Sequence, residues 1–356
     1  MTTRRAFVTA LAAALAAPAW ARTAGRETRE PVRLAATWQT RDSYQIGVLA
    51  HSAAGRLQIA AALEVPTRAH GLLAEPGGTL LTVARRPGDW LLRWNRDGAA
   101  QAWRWIEPGR AFTGHVLSGR DGKKIYTTET DIESGAGLIG VREGNSLEKL
   151  AEWPTQGIDP HQLVWDGNSL IVANGGVATQ PETGRAKRNL ERMDSSLVRL
   201  DATSGELLGQ WRLDDRRLSL RHLAWGGRTL GIAQQAEHDQ PATKATSPVL
   251  ALFDGRTLRP VPAPRSLAGY GGDIAALGNG FAVSCPRAQG VALFDGDGTW
   301  LGFMPLDEAC ALALAGDRLW AGGRARVLAM QTLATTKDAE TSVPGIRLDN
   351  HWISLM

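Results

Sequence analysis

The chain has 356 residues, 43% of them hydrophobic, and a formal net charge of +4 at pH 7. This length and composition allow a large apolar core without metal ions or disulfides, and two cysteines are too few for a disulfide-built scaffold. Two of the positive charges, Arg4 and Arg5, lie in a predicted leader, and the small remaining excess gives no indication of a nucleic-acid partner.

The N-terminus has the pattern of an export signal. Arg4 and Arg5 precede an apolar run over residues 6–17, and a cleavage-like AWA sequence follows. The TRRAF sequence is similar to twin-arginine signals. We therefore expect residues 1–21 to be removed on export and residues 22–356 to form a single-domain protein of the bacterial periplasm. The apolar run is too short to span a bilayer, and no other segment approaches the required length.

Seven segments of the remaining chain share one pattern. Each has a slot residue, a short alternating strand, a turn rich in Gly, Asp or Asn, and a second apolar strand. The slots recur at steps of 37 to 61 residues, a spacing typical of β-propeller blades and not of helical solenoids. Third and fourth strands follow most of the slots, as in GVALFDGDGTWLGFMPL. The slot residues are His70, His115, His161, His222, Asp273, Cys310 and His351.

The seventh repeat contains one strand, HWISL, before the sequence ends. Three further strands, VRLAATWQ, YQIGVLAH and LQIAAALEV, lie near the other end. Pairing of the last strand with these three completes a blade and removes the exposed edges of an open array. The sequence therefore predicts an all-β, seven-bladed β-propeller of the WD40-like or YVTN-like kind, and we expect a monomer.

Side chains that follow the second strands are predicted to lie at the same face as the slot residues, because each second strand returns to that face. Two long connections, residues 175–195 and 235–248, would overhang this face, and loops of such length are often functional. Basic residues of the first loop could receive an anionic ligand or an acidic partner, or could form a solvated loop surface. The candidate ligand-binding or partner-binding residues are Arg85, Arg86, Asn174, Arg185, Arg188, Gln234 and Arg324.

A ring of histidines at the propeller axis predicts a metal site. Neutral imidazole binds zinc, copper, iron and nickel, and neighbouring carboxylates adjust the preference. One ion requires three or four converging side chains, and our first choice is His70, His115, Glu129 and His161. The alternative is that the histidines are structural hydrogen-bonding groups between strands. The full set of candidate ligands is His70, His115, Glu129, Asp131, His161 and His222.

Two carboxylates in the sequence YTTETD have a second interpretation. Glu129 and Asp131 could act as general acid and base with a ring histidine, as in propeller lyases and hydrolases. They could equally form solvated salt bridges with Arg85, Arg86 or Arg324.

The two cysteines leave three alternatives open. Cys285 and Cys310 could form a disulfide, a pair of soft metal ligands or two buried thiols. The sequence contains no P-loop, dinucleotide fingerprint, nucleophile elbow, HExxH helix or CxxCH motif. We therefore expect neither a bound nucleotide nor a covalently attached haem.

Several stretches resemble a known family. They are ARRPGD, FTGHVLSGRDGKKIYTTETDIESGAGLIGV, GIDPHQLVW, LIVANGGVATQPETGR, LERMDSSLVRLD and LSLRHLAW. Together they are similar to domain of unknown function 1513, from about Gln58 to the C-terminus. This resemblance implies a twin-arginine-exported, propeller-like periplasmic protein, encoded beside imelysin-like and dihaem periplasmic proteins in a context of iron acquisition. It implies no catalytic residues.

These observations lead to one main hypothesis and two alternatives. The main hypothesis is a periplasmic propeller that binds a transition metal, with iron first, or a metal-bearing ligand or partner. The first alternative is a non-catalytic scaffold that captures a partner of a periplasmic uptake complex through its long loops. The second is a lyase or hydrolase that uses a ring histidine with Glu129 and Asp131. A binding protein is favoured over an enzyme.

Overall fold

The protein is a seven-bladed β-propeller in the computed structural model. The structure describes residues 32–51, 57–177, 190–316, 318–324, 326–331, 339–342 and 345–355. These residues belong to one compact unit, and their strands form seven four-stranded antiparallel sheets. The predicted fold class is therefore confirmed. The predicted leader, residues 1–21, lies outside the described residues.

Each sheet is one blade, and six of the seven are built from four consecutive strands. Blade 7 takes its first strand from the C-terminal end and its other three from β1 (Arg33–Gln39), β2 (Tyr44–His51) and β3 (Leu57–Val65). Blade 1 has β4 (Ala69–Ala74), β5 (Thr79–Ala84), β6 (Trp90–Asn95) and β7 (Ala100–Trp105). Blade 2 has β8 (Arg110–Ser118), β9 (Lys124–Asp131), β10 (Ala136–Glu143) and β11 (Lys149–Ile158). Blade 3 has β12 (Pro160–Asp166), β13 (Ser169–Asn174), β14 (Ser196–Asp201) and β15 (Leu207–Trp211).

The remaining blades follow the same order. Blade 4 has β16 (Leu218–Gly226), β17 (Thr229–Ala236), β18 (Leu250–Phe253) and β19 (Leu258–Val261). Blade 5 has β20 (Ile274–Leu277), β21 (Gly280–Cys285), β22 (Gly290–Phe294) and β23 (Trp300–Pro305). Blade 6 has β24 (Ala311–Ala315), β25 (Arg318–Gly322), β26 (Arg326–Met330) and β27 (Ala339–Ser342), and β28 (Arg347–Ser354) completes blade 7. Short helical segments in the described loops are α1 (Pro241–Thr246) and two 3-10 turns, Leu190–Arg192 and Pro286–Ala288.

The C-terminal strand closes the ring. β28 pairs antiparallel with β1, from Leu34 opposite Ser354 to Gln39 opposite Arg347. Each innermost strand also contacts the innermost strand of the next blade, in the cyclic order β4, β8, β12, β16, β20, β24, β28 and back to β4. The predicted closure between the last strand and the N-terminal strands is therefore confirmed. The slot residues lie on or immediately before these innermost strands, so all seven surround one axis.

The core consists of apolar layers between blades. Successive side chains of a strand point to opposite sides of its sheet, so one strand contributes to two layers. In β1, Leu34 and Ala36 pack with blade 6, whereas Ala35 packs with residues of blade 1. Indole rings fill much of this space, and Trp38, Trp90 and Trp94 are fully buried. No helix in the described residues is long and apolar enough to cross a membrane.

The closure predicts the effect of one core substitution. Trp352 on β28 is 3% exposed and packs over Gly322 in the layer between blades 6 and 7. We expect Trp352→Ala to lower the free energy of unfolding by about 3–5 kcal/mol, because it leaves a cavity where the ring closes. Trp105→Ala is the matched control, since Trp105 is 58% exposed, and we expect a change within about 0.5 kcal/mol. Urea unfolding measures both values, and equal effects would contradict this account of closure.

Candidate metal centre

Five of the seven slots bring an imidazole to the propeller axis. We call His70, His115, His161, His222 and His351 the histidine cluster. All five are buried, and neighbouring ring centroids lie close together. The separation is 4.5 Å for His70–His351, His161–His222 and His222–His351, and 4.8 Å for His70–His115 and His115–His161. The structure therefore gathers side chains that are up to 281 residues apart in sequence.

A β-bulge at each histidine contributes to this convergence. In β4 the pairing register shifts between Ala69 and Leu72, on either side of His70. Equivalent shifts flank His115, His161 and His222, and β28 has one around His351. A bulge adds an unpaired residue to one strand and redirects its side chain. The pairing of β20 with β21 and of β24 with β25 shows no such shift, and those two blades carry Asp273 and Cys310 in the slot.

A glycine allows the imidazoles of blades 1 and 2 to approach each other. Gly114 has a φ of 117°, which L side chains rarely adopt. A Cβ added there would lie 2.5 Å from Cδ2 of His70. The close contact between His70 and the backbone next to His115 therefore requires glycine.

The cluster offers ring nitrogens that could serve as metal ligands. One nitrogen each from His70, His115, His222 and His351 lies within 4.8 Å of the other three. A ligand nitrogen lies about 2.1 Å from an ion, so two ligands of one ion can be about 4.2 Å apart at most. The observed spread would therefore need an inward movement of roughly half an ångström. The four buried histidines could hold a metal ion.

Two hydrogen bonds orient the rings. Nε2 of His161 and Nε2 of His222 are 2.9 Å apart, so the N–H of one imidazole donates a hydrogen bond to the other. Nδ1 of His351 lies 3.2 Å from Oδ2 of Asp273, which also accepts the backbone N–H of Leu312. The remaining buried nitrogens have no partner in the described residues; they are Nδ1 of His70, Nε2 of His115, Nδ1 of His161, Nδ1 of His222 and Nε2 of His351.

Burial keeps most of these imidazoles neutral. It lowers the pKa of His70, His115, His161 and His222 well below the usual value, and neighbouring histidines or arginines lower it further. A neutral imidazole has a free lone pair, whereas a protonated one cannot bind a metal ion. At neutral pH these side chains are therefore in the form that metal binding requires.

The two slots without histidine have different roles. The Asp273 carboxylate contacts His351 and is the acidic group at the cluster. The Cys310 thiol donates to Oδ1 of Asn350 at 3.0 Å, and burial raises its pKa to about 12. Cys285 is a second free thiol, and its pKa is also raised to about 12 by burial. The structure thus contains two separate thiols and no disulfide between them.

Glu129 lies away from the histidines, which differs from the predicted ligand set. Oε1 accepts from Arg142 at 2.8 Å and Oε2 accepts from Lys149 at 2.6 Å, in a buried network within blade 2. The reason is strand alternation: the preceding residue, Thr128, accepts the backbone N–H of His115, so Glu129 points to the opposite side of β9.

Asp131 is also outside the cluster. It forms an ion pair of 2.6 Å with Arg110, and hydrogen bonds from Ser134 lower its pKa. Both carboxylates therefore belong to salt bridges, but with Arg110, Arg142 and Lys149 in place of the arginines that the sequence suggested. This arrangement gives no support to an acid–base pair of Glu129 and Asp131 beside a ring histidine.

A cavity lies beside the cluster at the face where the second strands end. Three cluster histidines line it, together with Arg85, Arg86, Gln235, Tyr270 and Asn350. Arg85 and Arg86 were predicted at this face from their position after β5. The sequence placed Gln235 in a connection near the ring, but Gln234 was named as the candidate ligand-binding residue in its place. Tyr270 and Asn350 were not predicted as candidates. The position of Asn350 immediately before His351 was the available signal.

The other predicted residues at this face do not line the cavity. Asn174 donates to the backbone oxygen of Thr155 and so connects blade 3 to blade 2, and Gln234 donates to the backbone oxygen of Pro248, just before β18. Arg324 is half exposed and forms an ion pair with Glu308. Arg185 and Arg188 lie outside the described residues.

A buried ion-pair network below the cavity was not predicted. The Asp159 carboxylate binds Arg86 through Oδ1 and Arg221 through Oδ2. Arg221 directly precedes His222, and its side chain is almost completely buried. Sequence reasoning missed Asp159 and Arg221 because only the fold brings blades 1, 3 and 4 together.

Comparison with known proteins gives the family. Residues 63–355 match a sequence family described as protein of unknown function, DUF1513. The chain belongs to the DUF1513 family. The match covers the histidine slots of all five cluster members, and the predicted resemblance is confirmed. No curated protein matches the sequence significantly.

Solved structures confirm the fold of this DUF1513 member and nothing beyond the fold. The chain is similar to a structure titled as a nidogen/laminin complex, with a TM-score of 0.51 and 11% sequence identity over 92% of this chain and 98% of that chain. It is also similar to BamB from Moraxella catarrhalis, a β-propeller, with a TM-score of 0.50 and 15% identity over 86% of this chain and 82% of that chain.

Replacement of Gly114 tests the packing of the cluster. We expect Gly114→Ala to lower the free energy of unfolding by about 2–3 kcal/mol more than Gly77→Ala, because its new methyl group would overlap His70. Gly77 is the control: its φ of 97° is also unfavourable for an L side chain, but nothing lies within 4 Å of an added Cβ. Urea unfolding of both variants gives the comparison, and equal losses would show that only backbone strain matters.

The lowered histidine pKa values predict how stability depends on pH. A histidine whose pKa is lower in the folded state takes up protons preferentially when the chain unfolds. Stability is therefore complete above the ordinary pKa of about 6.5 and decreases as the pH falls below it. Each such histidine contributes a slope of up to about 1.4 kcal/mol per pH unit.

Urea unfolding of metal-free protein between pH 7.5 and 5 measures this slope. We expect His115→Gln to reduce it by about one proton, because His115 is one of the four buried neutral imidazoles. His238→Gln is the control, since His238 lies outside the cluster and contacts Asp215. An unchanged slope in His115→Gln would mean that the cluster is not the source of the acid sensitivity.

Proposed function

We propose that this DUF1513 protein binds one transition-metal ion at the propeller axis, with His70, His115, His222 and His351 as ligands. One observation carries the proposal: four buried imidazoles from four blades have ligand atoms within 4.8 Å of one another. If these histidines served as structural hydrogen-bonding groups, their ring nitrogens would have hydrogen-bond partners, because a buried polar group without a partner costs free energy. Each of these four rings instead retains a nitrogen with no partner in the described residues.

The surroundings of the cluster fit a metal ligand set. Ligand histidines usually donate their second N–H to a carboxylate, which fixes the ring orientation and increases ligand basicity. Asp273 stands in this relation to His351. His161 makes a comparable contact with His222, so it would act as a neighbour that orients a ligand and not as a fifth ligand.

The donor set limits the choice of ion. Imidazole nitrogens suit zinc, copper, iron and nickel, whereas magnesium and calcium prefer oxygen ligands. We propose iron as the biological ion because the family resemblance implies a context of iron acquisition. We further propose that the twin-arginine leader exports the folded protein to the periplasm, where imelysin-like or dihaem proteins would be its partners.

Metal binding is tested with protein purified from the periplasm. Element analysis is expected to give about one transition-metal ion per chain, and calorimetric titration of the metal-free protein compares Fe²⁺, Zn²⁺, Cu²⁺ and Ni²⁺. His115→Gln is expected to weaken binding at least 100-fold, because it removes a ligand. A smaller loss, about tenfold, is expected for His161→Gln, because this side chain only orients His222.

The control for this experiment is His238→Gln, which leaves the cluster intact and is expected to bind metal as the unmodified protein does. Circular dichroism and thermal unfolding establish that each variant is folded. Failure of all four ions to bind the unmodified protein at micromolar concentration would overturn the proposal. Equal affinity of the unmodified protein and of folded His115→Gln would do the same.

A further inference from the structure

The cavity beside the histidine cluster is lined by hydrogen-bond donors. Apart from the histidines, it is lined by Arg85, Arg86, Gln235, Tyr270 and Asn350, and the Gln235 amide donates to the backbone oxygen of Gly271. No carboxylate lines it in the part of the chain that the structure describes. A cavity that pairs fixed positive charge with several donors is complementary to an anion and unfavourable for a free cation.

Two of the neutral side chains have donors directed to no acceptor among the described residues. Oδ1 of Asn350 accepts the Cys310 thiol, which leaves the Nδ2 group as the free donor of this amide. The Tyr270 hydroxyl forms no hydrogen bond there either, and Arg287 lies 4.3 Å from the centre of its ring. Both groups lie at the cavity wall.

Two buried carboxylates, Asp159 and Glu237, act on the guanidinium groups of Arg86 and Arg221. Asp159 serves two guanidinium groups at once, Arg86 and Arg221. Nε and Nη2 of Arg221 are buried and have no partner within the described residues. Burying N–H donors without an acceptor costs free energy, and burial lowers the pKa of Arg221. Arg86 retains 11% exposure, so part of its side chain is open to a ligand.

The metal site itself gives a second reason for an anion. Four imidazole ligands bring no negative charge to a divalent ion, and Asp273 is the acidic side chain in contact with the cluster. Two arginines lie close to these histidines: Arg86 lines the same cavity, and Arg221 directly precedes His222. A cation placed there would be repelled by the same arginines unless an anion accompanies it.

We infer that the cavity binds a small oxyanion, held by Arg86, Tyr270 and Asn350, and that this anion binds cooperatively with the metal ion. Binding of the oxyanion to the metal-free protein does not depend on the metal site. The cooperativity rests on the proposed function. In the complex with both ligands the anion would offset the positive charge of the nearby arginines.

Calorimetric titration of the chelator-treated, metal-free full chain tests the anion site. Citrate, inorganic phosphate and bicarbonate are the probes, with chloride as the reference. Comparison of the three titrations shows whether the cavity prefers a polycarboxylate, a phosphate or a carbonate. We expect at least one of these oxyanions to bind at submillimolar concentration. Arg86→Gln is expected to weaken binding at least tenfold, because it removes the charged group at the wall.

Two further variants make the result independent of folding defects. Tyr270→Phe removes only the hydroxyl and is expected to weaken binding about threefold to tenfold. Arg324→Gln is the matched control, because Arg324 follows a second strand as Arg85 and Arg86 do but is paired with Glu308 and does not line the cavity. We expect Arg324→Gln to bind as the unmodified protein does.

The same titrations with metal present test cooperativity. The preferred anion is expected to bind at least tenfold more tightly to the metal-loaded protein, and the metal affinity should rise by the same factor when the anion is present. Anion binding without metal binding would support the cavity site while overturning the proposed function and the cooperativity. Metal binding with no oxyanion binding in either state, or with Arg86→Gln unchanged, would overturn this inference and leave the proposed function intact.

Discussion

Hydrogen-bonded pairing between β28 and β1 holds the two ends of the described chain together. It supplies the innermost strand of blade 7 and thereby completes a ring in which every innermost strand contacts two others. The slot residues converge only because this ring is closed: an open array would spread them along an arc. The pairing strand also carries His351, so closure and assembly of the histidine cluster are one structural event.

Much of the fold could be predicted from the sequence, because the decisive signals are local. The slot spacing and the alternating strands indicated seven blades. The three N-terminal strands, which lack an innermost strand of their own, indicated how the ring closes. The bulges at the histidines could not be predicted, because one extra residue in a strand leaves its composition and apolar pattern almost unchanged. The position of Glu129 depended on strand register: adjacent Thr128 contacts the backbone of His115, so Glu129 points away.

The histidine cluster is costly for the fold. Five imidazoles are buried at the axis, and each has a nitrogen without a partner among the described residues. Every such group costs about 1–3 kcal/mol relative to a satisfied one. Asp273 and Cys310 show that the slot accepts other side chains, and in their blades the innermost strand pairs with the second strand without a bulge. The five bulged histidine strands are therefore better explained by a ligand than by the requirements of packing.

One consequence concerns the topology of the chain. His70 and His351 occupy the first and the last slot of the propeller sequence, and their ring centroids are 4.5 Å apart. Any ligand that both imidazoles bind acts as a noncovalent cross-link across a loop of nearly 300 residues. Such a link opposes separation of the chain ends as a disulfide would, but it forms and breaks with ligand concentration and with protonation. Binding of such a ligand would couple occupancy of the axis to the integrity of the ring.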